Sequence, residues 1–418
     1  MLELIAIIVS LTAILAWFNH QYIHLPTTIG VMAIALALSG GLHGLAWLGF
    51  TAIEDQAEAL LSRIDFNQLL MDGMLSLLLF AGALHIDLDR LRRYRWSIGF
   101  LATLGVVIST LAIGSAAYYL FGALGLSVPW MYCLVFGALI SPTDPIAVLG
   151  ILRKANAPAD LELRIVGESL FNDGVAVVVF TLLLGAAMGD EALTFTHAGK
   201  LFLQEAGGGI LLGLAIGTLA YWLMRSIDEY RIEVLISLAV VLGGYSLALH
   251  LHISGPIAMV VAGLLIGNKA RQSAMSDTTR EHLDAFWELI DEILNTLLFV
   301  LIGLEVLLIP FELAHLWACA GLIVVILAVR FTTIGVPVML LRDQLGFRHG
   351  SARILTWGGL RGGISVALAL ALPDGETRDT LLTVTYLIVL FSILVQGLSI
   401  GRVVVWLLGQ APQSAAQR

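Results

Sequence analysis

Gly167-Glu168-Ser169-Leu170-Phe171-Asn172-Asp173-Gly174 lies inside a run of membrane-spanning composition, Leu161 to about Met188, that continues Val-Ala-Val-Val-Val-Phe-Thr-Leu-Leu-Leu. Two carboxylates and an amide therefore sit at a depth where charge is costly. Insertion scales put a carboxylate at a helix centre at roughly 2.5–3.5 kcal/mol. Something must hold these charges, and something must use them. At about 100° per residue, Glu168 and Asn172 fall on one helical stripe, and Ser169 and Asp173 fall on the next. A hydroxyl beside Asp173 suits an ion site. An amide beside Glu168 suits a hydrogen-bonded structural pair. The plain alternative, acids merely paired with buried bases, fits Glu168 better than Asp173.

The chain around this stretch has 418 residues, 59% hydrophobic and 13% charged. Soluble domains carry about 25% charged residues, so this is a polytopic membrane protein and not a soluble enzyme. No basic cluster points to nucleic acid, and no P-loop or other nucleotide motif occurs. Transport is therefore expected to run on a gradient. Cys133 and Cys319 lie in apolar runs and read as reduced core residues. No spacing resembles a metal site, and no cofactor is expected. Residues 1–18 lack a basic leader and a cleavage site, so they read as a retained first span.

Hydropathy places about thirteen helical spans, at 1–18, 25–44, 67–86, 96–121, 129–152, 161–188, 198–224, 231–250, 254–268, 285–309, 314–341, 350–373 and 379–408. The inter-span segments alternate in basic content. One set carries seventeen Lys and Arg residues, the other only Arg63, Lys200 and Arg378. The positive-inside rule puts the first set in the cytoplasm, with the N-terminus outside and the C-terminus inside. Two bases remain, Arg330 and Arg361, both within spans. Arg361 stands among four glycines in Trp357-Gly358-Gly359-Leu360-Arg361-Gly362-Gly363. Each Gly weakens a helix by about 1 kcal/mol relative to Ala, so this stretch is expected to be unwound or tightly packed. Arg keeps its proton when buried, and Glu168 is the acid expected to pair with it. Arg330 is left either paired or facing a cavity.

A matching irregularity, Ser141-Pro142-Thr143-Asp144-Pro145, interrupts the span 129–152. Its prolines remove backbone donors and free nearby carbonyls. An Asp between them reads as part of a broken-helix ion site rather than a mere kink. Span starts near 67, 96, 129 and 161 recur near 285, 314, 350 and 379, an offset of 218–221. This spacing predicts inverted repeats of six helices, about 1–188 and 231–408, around a linker helix at 198–224, with a short cytoplasmic tail at about 409–418. The segments 45–66 and 269–284 read as polar interfacial helices. Asp291, Glu292 and Asn295 read either as the rim of a cation funnel or as a solvated helix end.

Three of these motifs carry a resemblance: Ser-Pro-Thr-Asp-Pro at 141–145, Gly-Glu-Ser-Leu-Phe-Asn-Asp at 167–173 and Gly-Gly-Leu-Arg-Gly at 358–362. Leu-Ile-Gly-Leu-Glu at 301–305 and Ala-Leu-His-Ile-Asp at 83–87 also fit. The chain resembles the bacterial NhaP-type sodium/proton antiporters, which are related to the animal sodium/proton exchangers. The resemblance implies an NhaA-like antiporter fold in the cell membrane, a homodimer among membrane lipid, and a mobile six-helix core. It implies that Asp173 is the shared cation and proton site, that Thr143, Asp144 and Ser169 help coordinate the transported Na+, and that Glu168 and Arg361 form a core ion pair. The pair Asn172-Asp173 resembles the electroneutral class, which exchanges one cation for one proton. One departure concerns ion preference: many relatives carry Glu where this chain has Ala81.

The expected function is therefore exchange of Na+, and of Li+, for protons. K+/H+ exchange and a passive cation channel or uniporter are the alternatives. A channel would conduct at fixed pH without a linked proton flux.

Overall fold

Lipid offers a backbone no hydrogen-bond partners, so a spanning chain must bond its own amides. The computed structural model describes residues 2–61, 66–154, 159–189, 195–308, 312–345 and 350–409. These residues are helical almost throughout. The one β-pairing among them is an isolated antiparallel bridge between Asp144 and Leu360. The helices used below are α1 (Leu2–Phe18), α2 (Thr27–Trp47), α3 (Thr51–Leu61), α4 (Leu75–Leu84), α5 (Leu104–Ala123), α6 (Trp130–Ile140), α7 (Ile146–Lys154), α8 (Ala159–Met188) and α9 (Phe195–Arg225). They continue as α10 (Tyr230–His250), α11 (Gly255–Leu265), α12 (Asp277–Glu305), α13 (Leu313–Leu345), α14 (Ser351–Trp357), α15 (Gly363–Leu370), α16 (Glu376–Phe391) and α17 (Leu398–Gly409).

Nine helical stretches among the described residues are long and apolar enough to cross a membrane. Two of the other expected spans are divided for a reason legible in their residues. The span at 129–152 is divided into α6 and α7 by the proline stretch, and the span at 350–373 into α14 and α15 by the glycine stretch. Large apolar side chains such as Leu211, Trp222, Leu235, Trp317 and Val324 lie exposed on the outside, as lipid-facing residues should. Small residues set the inner contacts. Gly137 of α6 lies against the Thr110 carbonyl of α5, and Gly303 of α12 against the Met32 carbonyl of α2, the close approach that membrane helices use.

Two expectations about polar segments resolve differently. The first, at 45–66, contains the separate helix α3; its residues 62–65 lie outside the described residues. The second, at 269–284, is not an independent helix: from Asp277 onward it is the start of α12. Ser276 caps that start, its hydroxyl accepting from the Thr279 N–H at 3.3 Å. Arg271 grips Asp284 with both guanidinium nitrogens, at 2.8 and 2.6 Å. These bonds hold the polar turns onto the long helix. Residues 410–418 of the expected tail lie outside the described residues.

Candidate functional site

The two breaks meet face to face. Pro142 and Pro145 cannot donate to a helix ladder, so the chain between α6 and α7 runs extended. The backbone N–H of Asp144 instead donates to the Leu360 carbonyl at 2.8 Å, in the other break. The second break follows from close approach. A side-chain carbon on Gly362 would run into the Asp144 carboxylate, and one on Gly359 into the Arg330 guanidinium. Only bare backbone fits between those two charged groups.

The broken ends carry unsatisfied groups, and side chains of the right sign meet them. At the start of α7, Asp144 Oδ1 accepts from the Ile146 N–H at 2.8 Å. At the end of α6, Arg361 Nη1 donates to the carbonyls of Ser141 and Pro142, at 2.5 and 2.8 Å. Arg361 is itself fixed by its backbone N–H, which donates to Ser392 Oγ at 2.8 Å. Ser392 in turn donates to Gln396 Oε1 at 2.8 Å.

Helix α8 passes this crossing and contributes the polar side chains of 168–173. The Ser169 hydroxyl donates to the Thr143 carbonyl. Asn172 clasps the same residue, its amide nitrogen donating to Thr143 Oγ1 at 2.9 Å and its oxygen accepting from the Thr143 N–H at 3.4 Å. Asp173 is 8% exposed and within electrostatic reach of Asp144. Asp173 has no hydrogen bond or ion pair among the described residues. The arrangement thus offers carboxylates, hydroxyls and a carbonyl in one place, a donor set suited to a hard cation.

A profile of the family described as sodium/hydrogen exchanger, transmembrane, matches residues 7–406. The chain belongs to that family. It is 54% identical over 408 residues to the Na+/H+ antiporter NhaP of Pseudomonas aeruginosa, covering 97% of this chain and 96% of that one. It is 35% identical to the Na+/H+ antiporter NhaH of Halobacillus aidingensis, covering 89% of this chain and 91% of that one. Its fold matches the sodium proton antiporter MjNhaP1 of Methanocaldococcus jannaschii with a TM-score of 0.71 at 19% identity, over 97% of this chain and 98% of that one.

In this exchanger-family chain the structure brings Thr143, Asp144, Ser169, Asn172 and Asp173 to one crossing, with Arg361 beside them. It corrects the expected ion pair. Glu168 is buried against Arg330 of α13, which donates to both carboxylate oxygens, Nη2 to Oε2 at 3.0 Å. Arg361 pairs with carbonyls instead. The physical reason is supply and demand: Glu168 has two oxygens, a forked guanidinium fills both, and the proline break leaves carbonyls that need a second cation. Asn172 likewise serves Thr143 and not Glu168, whose oxygens are taken. Arg330 was therefore the structural residue that sequence reasoning left unassigned. The signal for it was a second buried base competing for one acid. Ala81 is buried on α4, and its carbonyl is 2.8 Å from His85 Nδ1.

Proposed function

We infer that this chain is a secondary antiporter that exchanges Na+, and Li+, for protons one for one, with Asp173 as the site both cargoes share. It is a transporter and not an enzyme, and it carries no resident cofactor; Na+ is cargo. The charge balance at the crossing carries this reading. Three acids, Glu168, Asp144 and Asp173, and two bases, Arg330 and Arg361, stand at or beside the crossing. Ionised, that set leaves one net negative charge, and Asp173 is the acid with no hydrogen bond or ion pair among the described residues. One monovalent cation or one proton neutralises it. The 54% identity to a Na+/H+ antiporter supports sodium as the cation.

The cycle follows from electrostatics. Either cargo cancels the charge on Asp173, so a loaded crossing moves between the two faces. An empty one keeps a bare carboxylate at membrane depth and moves slowly. Ser169 and Thr143 supply neutral oxygens to the cation, while Asn172 holds Thr143 in place. This asymmetry couples the two fluxes. The cargoes also compete, so lowering pH raises the Na+ concentration needed for half-maximal exchange.

The architecture that serves this cycle is thirteen spans in inverted six-helix repeats, with a mobile core and a homodimer contact. The two broken spans, facing each other across the Asp144–Leu360 bridge, fit such a repeat. The protein would sit in the cell membrane with its N-terminus outside and its C-terminus in the cytoplasm.

The test is proton movement in everted vesicles from an antiporter-deficient host, with Na+, Li+ and K+ added in turn. Wild type should alkalinise the lumen on addition of Na+, and Asp173→Asn should fall to the background of empty vesicles. A response to K+ alone would make it a K+/H+ exchanger. Cation currents at fixed pH without proton movement would make it a passive conductor.

A further inference from the structure

One face of α12 is polar where it ought to be apolar. Trp287, Asp291, Asn295, Leu298 and Ile302 recur at the three- and four-residue spacing of a single helical stripe. Trp287, Leu298 and Ile302 are buried apolar residues. Between them stand a half-buried carboxylate, Asp291, and an amide, Asn295, that is 1% exposed. Neither the oxygen nor the nitrogen of Asn295 completes a hydrogen bond among the described residues, although its amide lies against the Asp291 carboxylate one turn away. A buried amide with both ends unmet is destabilising. Packing does not account for it. Glu292, on the neighbouring face, is simply exposed.

The stripe leads to the crossing. A side-chain carbon on Gly363 would meet Leu298, so the stripe reaches the first residue of α15. Gly362, next in the chain, lies against the Asp144 carboxylate. Asp291 is itself within electrostatic reach of Asp144, and His85, at the end of α4, is the base closest in effect to Asp291. Asn295 adjoins Asp291, Asp291 is felt at Asp144, and Asp144 is felt at Asp173.

We propose that Asp291 and Asn295 form a second, transient station for a monovalent cation, which holds the ion on α12 before it passes to Asp144 and Asp173. A carboxylate and a neutral amide oxygen are ligands of the kind a hard cation takes. Their exposure, partial at Asp291 and nearly nil at Asn295, orders them as entrance and interior. The proposal rests on the antiporter reading for the destination of the ion, but the station itself is a binding site testable without transport.

The first experiment is equilibrium binding of radioactive Na+ to purified protein in detergent. Asp173→Asn should keep weak, saturable binding, and adding Asp291→Asn should abolish it. Absence of saturable binding in Asp173→Asn, or binding that survives the double change, overturns the station. The second is exchange in proteoliposomes. Asp291→Asn should raise the half-saturating Na+ concentration about tenfold, as loss of one nearby unit charge implies, by a larger factor than it changes the maximal rate. Asn295→Leu should move it in the same direction, and Asp291→Glu should restore most of the affinity. A change confined to the maximal rate, or no rescue by Glu, would mean a packing role and overturn the proposal. Wild type that binds Na+ at this station yet moves no protons would overturn the antiporter reading alone.

Discussion

The two breaks in the membrane helices achieve the same irregularity by opposite means. The first, Ser141 to Pro145, is broken by prolines and filled with side chains. Its Asp144 caps the next half-helix, and its Thr143 is held by Asn172 and Ser169. The second, Gly358 to Gly362, is broken by glycines and kept bare, so that Asp144 and Arg330 can lie against its backbone. Its one functional side chain, Arg361, reaches back to the carbonyls that the prolines set free. The first break supplies oxygens; the second provides room and a fixed positive charge. On the proposed reading, the pair of broken helices divides into a binding half and a holding half.

The heaviest blow to this division is removal of the holding charge. Arg361→Met leaves the Ser141 and Pro142 carbonyls without their donor, at about 1.5–3 kcal/mol for each hydrogen bond to a charged group. Unfolding in detergent should come several kcal/mol more easily, and exchange should be lost. Arg361→Lys should recover only part of both, since a point charge does not replace a planar fork. A stable, active Arg361→Met protein would remove the holding role.

A smaller effect separates the two arginines. In double-mutant cycles for stability, Glu168→Gln with Arg330→Met should show a coupling of about 1–3 kcal/mol, and Glu168→Gln with Arg361→Met, which are linked through the field alone and not by a hydrogen bond, a smaller one. Breaking the Glu168–Arg330 pair from one side leaves a buried charge unmatched and costs about 3–5 kcal/mol, so each single change should be severe while the pair is milder than their sum. Coupling to Arg361 larger than that to Arg330 would reverse the assignment.

The cycle addresses the point at which the sequence was read wrongly. Asp173, Asp144 and Ser169 stood out because polar groups at membrane depth need a reason, and that reasoning uses only depth and spacing. The broken helices were legible because proline and glycine act on the backbone locally. The partner of Glu168 was not legible. Arg330 and Arg361 are both buried bases in later spans, and which one reaches an acid depends on what crosses in space. Asn172 failed in the same way. Its place one turn from Glu168 is real, but across the crossing Thr143 offers both a donor and an acceptor, and Glu168 is already occupied. Periodicity ranks neighbours on one helix and says nothing of competitors on another. The polar segment at 269–284 was misjudged because composition marks polarity, whereas the cap at Ser276 and the Arg271–Asp284 pair decide that it continues into α12.

The smallest and most selective change tests the bareness of the second break. Gly362 has an extended backbone, φ −123° and ψ −163°, which any residue adopts, so Gly362→Ala adds no backbone strain. What it adds is a methyl group where the Asp144 carboxylate lies. Overpacking of this kind costs about 1–3 kcal/mol, and the softest neighbour is the Asp144 side chain, which must turn away. Doing so loosens its hold on the Ile146 N–H and shifts its oxygens relative to Asp173. Stability should therefore fall modestly, while the half-saturating Na+ concentration rises about three- to tenfold, near 1 kcal/mol of binding. Gly99→Ala, with nothing near its added carbon, should change neither. If Gly362→Ala lowers stability and leaves Na+ affinity untouched, the glycine serves packing alone, and the two breaks are more independent than their shared bridge implies.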